Sequence, residues 1–145
     1  MLVHYLNLAI DSLQHLIDTT KTDIEDIKEA KHDILFSRLK GKEETMLSFE
    51  KYKTHIDSEI VNMANESPDL ELKELLSEEQ KDLLEDMRNK LTELKAVNRH
   101  YAKLVVAVSS FYNSLLDELL PKDEHGRSGY DGSVQRRTGM LEIKA

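Results

Sequence analysis

The 145-residue chain contains no cysteine and no tryptophan, only two prolines and five glycines, and no excess of basic residues. Without cysteine it can form neither a disulfide nor a thiolate zinc site and has no cysteine nucleophile, which fits a reducing compartment. The net charge of -8 opposes binding to nucleic acid or anionic lipid, because both require clustered Lys and Arg. We therefore expect no nucleic-acid partner.

Long hydrophobic runs are also missing. The longest aliphatic run covers the five residues 104–108, whereas a membrane-spanning helix needs about 20 apolar residues. The first twenty residues lack a basic leader and carry Asp11 and Asp18 where a signal peptide needs apolar side chains. We expect a cytoplasmic protein without stable membrane insertion.

The chain is rich in residues typical of helical bundles. Hydrophobic residues make up 39% and charged residues 33%, which together with the scarcity of glycine and proline predicts an all-α fold in one domain. Apolar residues recur at spacings of three and four, as in coiled coils. The first such series is Leu6, Ile10, Leu13, Ile17, Ile24, Ile27 and Ile34; the second is Met46, Phe49, Ile56, Ile60 and Met63; the third runs from Leu84 to Leu119.

Local signals divide the apolar series. Gly41 lies in a short charged segment and predicts a turn, since glycine weakens a helix and often follows its last residue. Pro68 ends the second series, because proline can begin a helix but cannot continue one. Ser77 and Gln80 have the spacing of a capping box and predict the start of the third helix, which Pro121 stops.

These signals predict helices over about 3–39, 43–65 and 70 or 77 to 120. We expect them to form a coiled-coil domain over 1–120, either as an elongated antiparallel hairpin with one helix projecting or as a three-helix bundle. An irregular, flexible C-terminal tail would follow over 121–145.

The third predicted helix changes character midway. Residues 77–100 include eleven charged side chains, but residues 101–120 include only three, and thirteen of those twenty are apolar. A two-helix contact uses about two residues in seven, so residues 101–120 need additional cover. Either the other helices supply it, or the surface binds another protein. Asn98 within this series either fixes the helix register or lies at the edge of the contact.

Residues with catalytic or metal-binding spacing are scarce. Glu29 and His32 have the Glu-x-x-His spacing of di-iron bundles, but such sites need two pairs and two further carboxylates. We therefore expect no metal, no cofactor and no enzymatic activity. A metal-bundle enzyme is the alternative that metal analysis would test.

Two stretches of the sequence resemble the FlgN-type flagellar export chaperones. They are the Asn-containing, apolar helix over 94–120 and the tail motif "SGYDGSVQRR" over 128–137, although the glycine here follows the aspartate directly. The resemblance implies an all-helical cytoplasmic chaperone that binds the C-terminal helices of hook-filament junction proteins. It would prevent their premature association and deliver them to the export-gate membrane protein.

The resemblance also implies roles for individual residues. Tyr130 would correspond to the family's gate-docking tyrosine. The client contacts would lie on one helix and comprise Tyr101, Val105, Val108, Phe111, Tyr112, Leu115 and Leu119. Such a chaperone is expected to be a monomer or weak dimer, whereas the alternative, a self-assembling structural coiled coil, would form a stable homo-oligomer.

The tail differs from the rest of the chain in charge. Residues 121–145 contain five basic and four acidic side chains, so they sum to +1, and the net charge of -8 leaves -9 for residues 1–120. We expect the tail to shield the client surface and, through Tyr130, to engage the export gate. Plain disorder is the alternative.

Overall fold

The computed structural model describes residues 1–119, which form four helices and no strand. Three are long: α1 (Leu2–Lys28), α2 (Asp33–Glu66) and α4 (Glu78–Leu119). The fourth, α3 (Leu72–Leu75), is a single turn. The expected all-α fold is confirmed. No helix within residues 1–119 is long and apolar enough to cross a membrane.

Helix α1 lies at the centre of the molecule. It packs along both α2 and α4, whereas the backbones of α2 and α4 do not approach each other. Helix α2 runs antiparallel to α1, since Tyr5 stacks on His55 at one end and Asp23 meets Lys42 near the other. Helix α4 runs parallel to α1, with Thr20 opposite Asn98. The result is an α1–α2 hairpin with α4 packed along α1 as a third long helix.

The apolar core occupies the first two thirds of α1. Its buried members from α1 are Leu2, Leu6, Ala9, Leu13, Leu16 and Ile17, and its members from the other elements are Phe49, Ile56, Leu76 and Leu94. The predicted second series is largely confirmed, because Phe49 and Ile56 are buried and Ile60 packs beside them. The three- and four-residue spacing therefore identified the core face of α2. On α1 the predicted series omitted the buried Leu2, Ala9 and Leu16, and its member Ile10 is only half-buried.

The turn between α1 and α2 lies at residues 29–32, not at Gly41 as the sequence predicted. Helix α1 ends at Lys28, and the amides of Ala30 and Lys31 donate to the carbonyls of Ile27 and Asp26, which is the Schellman pattern. Gly41 lies inside α2, where a methyl group would meet nothing. The predicted helices 3–39 and 43–65 are therefore wrong at their shared boundary.

Packing explains why the glycine did not decide this turn. A glycine inside a helix costs only about 1 kcal/mol. The observed turn aligns Phe49 and Ile56 with the core of α1 and places Arg38 and Lys42 beside Asp23. A turn at Gly41 would have lost that register along the whole hairpin.

The connection from α2 to α4 follows the predicted signals. Helix α2 ends at Glu66, two residues before Pro68. The Ser77 Oγ accepts from the Gln80 amide at 3.1 Å, and the Ser77 amide donates to Gln80 Oε1 at 3.0 Å. The predicted capping box and the start of the third helix are confirmed.

Candidate functional site

Helix α4 is longer than the part of α1 on which it packs. Thr20 lies opposite Asn98, 78 positions later in the chain, so Lys28 at the end of α1 is level with Val106. Roughly three and a half turns of α4 therefore continue past the last residue of α1. Within residues 1–119, the α1–α2 turn lies beside them, with the His32 ring edge-on to Tyr112 at a centroid distance of 6.0 Å.

An apolar surface lies on this projecting segment. We call Phe111, Tyr112, Leu116 and Leu119 the distal apolar face; Phe111 is 61% exposed and Leu119 is 76% exposed. Tyr112 and Leu119 continue the same three- and four-residue series that buries Leu94 lower on α4. They are exposed because α1 has already ended at this level. The apolar series on α4 therefore extends further than the helix that covers it.

The predicted client residues divide into two groups along α4. Tyr101, Val105, Val108 and Leu115 are half-buried, whereas Phe111, Tyr112 and Leu119 are exposed. Leu116 and Val106 are also exposed but were not among the predicted contacts. Their signal was the excess of apolar residues over what one partner helix covers. Tyr130 and the tail over 121–145 lie outside the described residues.

Further exposed apolar side chains lie at the start of α2, beside the turn. Ile34 is 43% exposed and Phe36 is 67% exposed. Neither was predicted as a contact, because Ile34 was assigned to the first apolar series and the helix boundary was misplaced. This end of the molecule thus exposes apolar side chains from both α2 and α4.

Below the distal apolar face, the hairpin is joined by an ionic network of Asp23, Asp26, Arg38 and Lys42. Asp23 is 1% exposed. Its carboxylate accepts from Arg38 Nε at 2.5 Å and from Lys42 Nζ at 2.9 Å. Arg38 also donates from Nη2 to Asp26. Two cations from α2 therefore satisfy a carboxylate that α1 buries, as a charge removed from water requires.

The network extends to α4 through Tyr101. Lys42 Nζ lies 4.5 Å from the centre of the Tyr101 ring, a distance at which a cation is attracted by the ring face. Burial of the phenol, followed by the negative charge of Asp23, raises the pKa of Tyr101. One lysine thus touches residues from both neighbouring helices.

Sequence reasoning missed this network. The signal was present, because the buried positions Leu2, Leu6, Ala9, Leu13 and Leu16 continue at strict heptad spacing through Thr20, Asp23 and Ile27. A carboxylate at a core position needs cationic partners, and the turn predicted at Gly41 assigned Arg38 and Lys42 to a loop.

Asn98 is half-buried at the α1–α4 contact. Its Oδ1 lies 3.5 Å from the Thr20 hydroxyl, at the long limit of a hydrogen bond. Thr20 is fully buried, so the pair places a polar contact inside the α1–α4 interface, in addition to the exposed Lys21–Glu93 ion pair at 3.1 Å. Of the two interpretations left open by the sequence, this contact favours a role in register.

Metal-binding side chains are not clustered within residues 1–119, where no group of three or more His, Asp or Glu could hold an ion. Glu29 and His32 lie at the α1–α2 turn, outside the helix on which their spacing would have aligned them.

Comparisons with protein-family models, curated proteins and solved structures found no match to this chain. The resemblance to the FlgN-type chaperones therefore rests on the sequence motifs alone. Any proposed function has to be argued from the geometry of α4.

Proposed function

We propose that this protein is a cytoplasmic chaperone of the flagellar type III export pathway. In this role it binds the C-terminal helices of hook-filament junction proteins, prevents their premature association and delivers them to the export gate. The observation that carries the proposal is the distal apolar face, because a folded monomer gains nothing from leaving Phe111 and Leu119 in water.

The shape of this surface suits a helical client. An amphipathic helix binds in an apolar groove through anchors spaced by three, four and seven residues. Tyr112, Leu116 and Leu119 have that spacing on α4, and Phe111 and Leu115 flank them. Aromatic side chains are common among the residues that dominate binding energy. We propose that the client contacts the exposed residues of the projecting part of α4, and that the half-buried Tyr101, Val105 and Val108 extend this contact towards the hairpin.

Client binding is tested by titrating a fluorescent C-terminal helix peptide of a junction protein into the full-length chaperone. Phe111→Ser and Leu119→Ser are each expected to weaken binding about tenfold or more, which corresponds to about 1.4 kcal/mol. Leu47→Ser is the matched control, because Leu47 is 66% exposed but lies mid-way along α2. Equal affinities for all three variants, or no binding by the unaltered chain, would exclude this surface as the client site.

Delivery is tested separately from binding. Tyr130→Ala is expected to leave the peptide affinity unchanged and to reduce secretion of junction proteins from flagellated cells that express the variant. A variant that secretes normally would contradict the docking role of Tyr130 without touching the client-binding proposal. The chaperone needs no cofactor for either step, since both are binding events.

A further inference from the structure

The turn between α1 and α2 is built from residues that favour helix. Ala30 adopts a φ of 61°, in the left-handed region that disfavours any side chain with a Cβ. Alanine is also the strongest helix former. The chain thus turns at a residue whose backbone conformational energy favours continuing the helix.

The sequence on both sides of this turn also fits one unbroken helix. Residues 2–40 contain no glycine and no proline, and Ile24, Ile27, Lys31 and Ile34 keep the spacing of three and four across the turn. This continuity is what placed the predicted helix boundary near residue 39. The turn is therefore maintained by the packing of α2 on α1 rather than by local sequence.

That packing does not require α1 and α2 to belong to the same chain. Helix α1 is the element on which both α2 and α4 pack, so residues 33–119 form a block that contacts one central helix. We propose that two copies of this chain exchange these blocks: residues 29–32 straighten into helix, and each copy packs its α2–α4 block on the partner's α1.

The distal apolar face supplies an independent reason for the exchange. In the single chain α1 ends at Lys28, and the face projects past it. In the exchanged dimer the partner's helix continues beyond that point in the register that sets Thr20 opposite Asn98. Ile34, which is 43% exposed in the single chain, then lies level with Tyr112. Straightening the turn thus gives the exposed apolar residues of α4 a helix to pack on.

Strained short connections are known to favour exchange of this kind. The contacts between Asp23 and the cations Arg38 and Lys42 are preserved, but between chains. The two straightened turns lose the left-handed conformation of Ala30. The dimer therefore repeats the monomer's contacts and adds cover for the distal apolar face.

The exchange is tested with a bifunctional thiol reagent, because the chain has no cysteine of its own. The Tyr5 and His55 rings stack with centroids 4.5 Å apart, so a short bis-maleimide bridges cysteines placed there. In Tyr5→Cys/His55→Cys, exchange joins two chains, and the fraction of covalent dimer rises with protein concentration. A single-cysteine Leu47→Cys chain reports chance collisions and is expected to give little dimer.

Substitution at the turn gives the decisive comparison. Ala30→Gly relieves the left-handed residue and weakens the straightened helix, so it is expected to raise the dimer dissociation constant by on the order of a hundredfold. Gly41→Ala strengthens a helix present in both forms and is expected to leave that constant unchanged. Sedimentation equilibrium on chains without cysteines measures both.

A monomer at all concentrations, or bridging only within one chain, would overturn the proposal. So would a dimer that Ala30→Gly leaves intact, since that dimer would use another interface. The inference does not depend on the proposed function, because these measurements need neither client nor export apparatus. If the exchanged dimer and the proposed function are both correct, the client helix and the second copy compete for the distal apolar face.

Discussion

The two ends of α1 are buried by different kinds of side chain. From Leu2 to Ile17 the helix contributes only apolar residues to the core, whereas its last turns bury Thr20 and Asp23 beside Ile24 and Ile27. Apolar burial is strong but non-directional, so it tolerates shifts of a whole heptad that keep the apolar faces matched. A buried carboxylate adds little net stability, but it requires its cationic partners at particular positions. The apolar end therefore supplies stability, and the polar end selects the hairpin register.

The largest expected effect is at the apolar end. Leu13 is fully buried, and Leu13→Ala should lower the free energy of unfolding by about 3–4 kcal/mol through lost transfer energy and a residual cavity. Urea denaturation followed by circular dichroism measures the change. Leu47→Ala, at an exposed position, should change stability by less than about 0.5 kcal/mol. Similar losses for the two variants would contradict the assigned core.

A smaller loss is expected at the polar end. Asp23→Ala should cost about 2–3 kcal/mol, at or below the low end for a broken buried pair, because Arg38 keeps Asp26 as an acceptor. The control is Asp57→Ala, since Asp57 is 62% exposed and pairs with Lys53 at 3.4 Å. That variant should change stability by less than about 1 kcal/mol. A neutral Asp23→Ala would mean that the network sets neither stability nor register.

Two substitutions, one at the observed turn and one at the glycine where a turn was predicted, should each raise the free energy of unfolding. Ala30→Gly removes the cost of a left-handed alanine and is expected to add about 1 kcal/mol. Gly41→Ala should add about 0.5–1 kcal/mol in a helix where the new methyl group has open space. The same denaturation experiment measures both, under conditions in which the protein is monomeric. If the turn were at Gly41 instead, both substitutions would lower stability.

The smallest effect concerns alkaline pH. Because the folded state raises the pKa of Tyr101, it favours the protonated phenol more than the unfolded chain does. That contribution is complete below the unfolded value of about 10 and is lost as the pH rises through the folded value. The free energy of unfolding, measured from about pH 9 to 11, should therefore fall less steeply with pH for Tyr101→Phe than for the unaltered chain. Parallel curves of the free energy of unfolding against pH would show that burial of this phenol does not contribute to the loss of stability at alkaline pH.

The helical class and part of the core followed directly from the sequence. Apolar spacing identified Leu6, Leu13, Phe49 and Ile56, because a helix presents every third and fourth residue to the same neighbour. The capping box at Ser77 was equally local, since its hydrogen bonds join residues three positions apart. The excess of apolar residues over 101–120 also indicated that this segment needs more cover than one partner helix supplies.

The turn and the ionic network could not be predicted in the same way. Gly41 is the strongest local signal for a turn, yet the chain turns at Ala30, where the sequence favours helix. The preference for residues 29–32 arises from contacts between distant positions, such as Asp23 with Lys42. Each such contact depends on a register that no short segment contains.

The sequence by itself determined that this chain forms long amphipathic helices, where α4 begins, and that its apolar series extends further than one partner needs. These are properties of near neighbours along the chain, where hydrogen bonds and side-chain spacing act within a few residues. Only the tertiary structure decided which helix is central, where the hairpin turns, and that the distal apolar face lies beyond the end of α1. Those outcomes depend on the sum of packing over whole helix faces, which outweighs the small local cost of an alanine in a turn and a glycine in a helix.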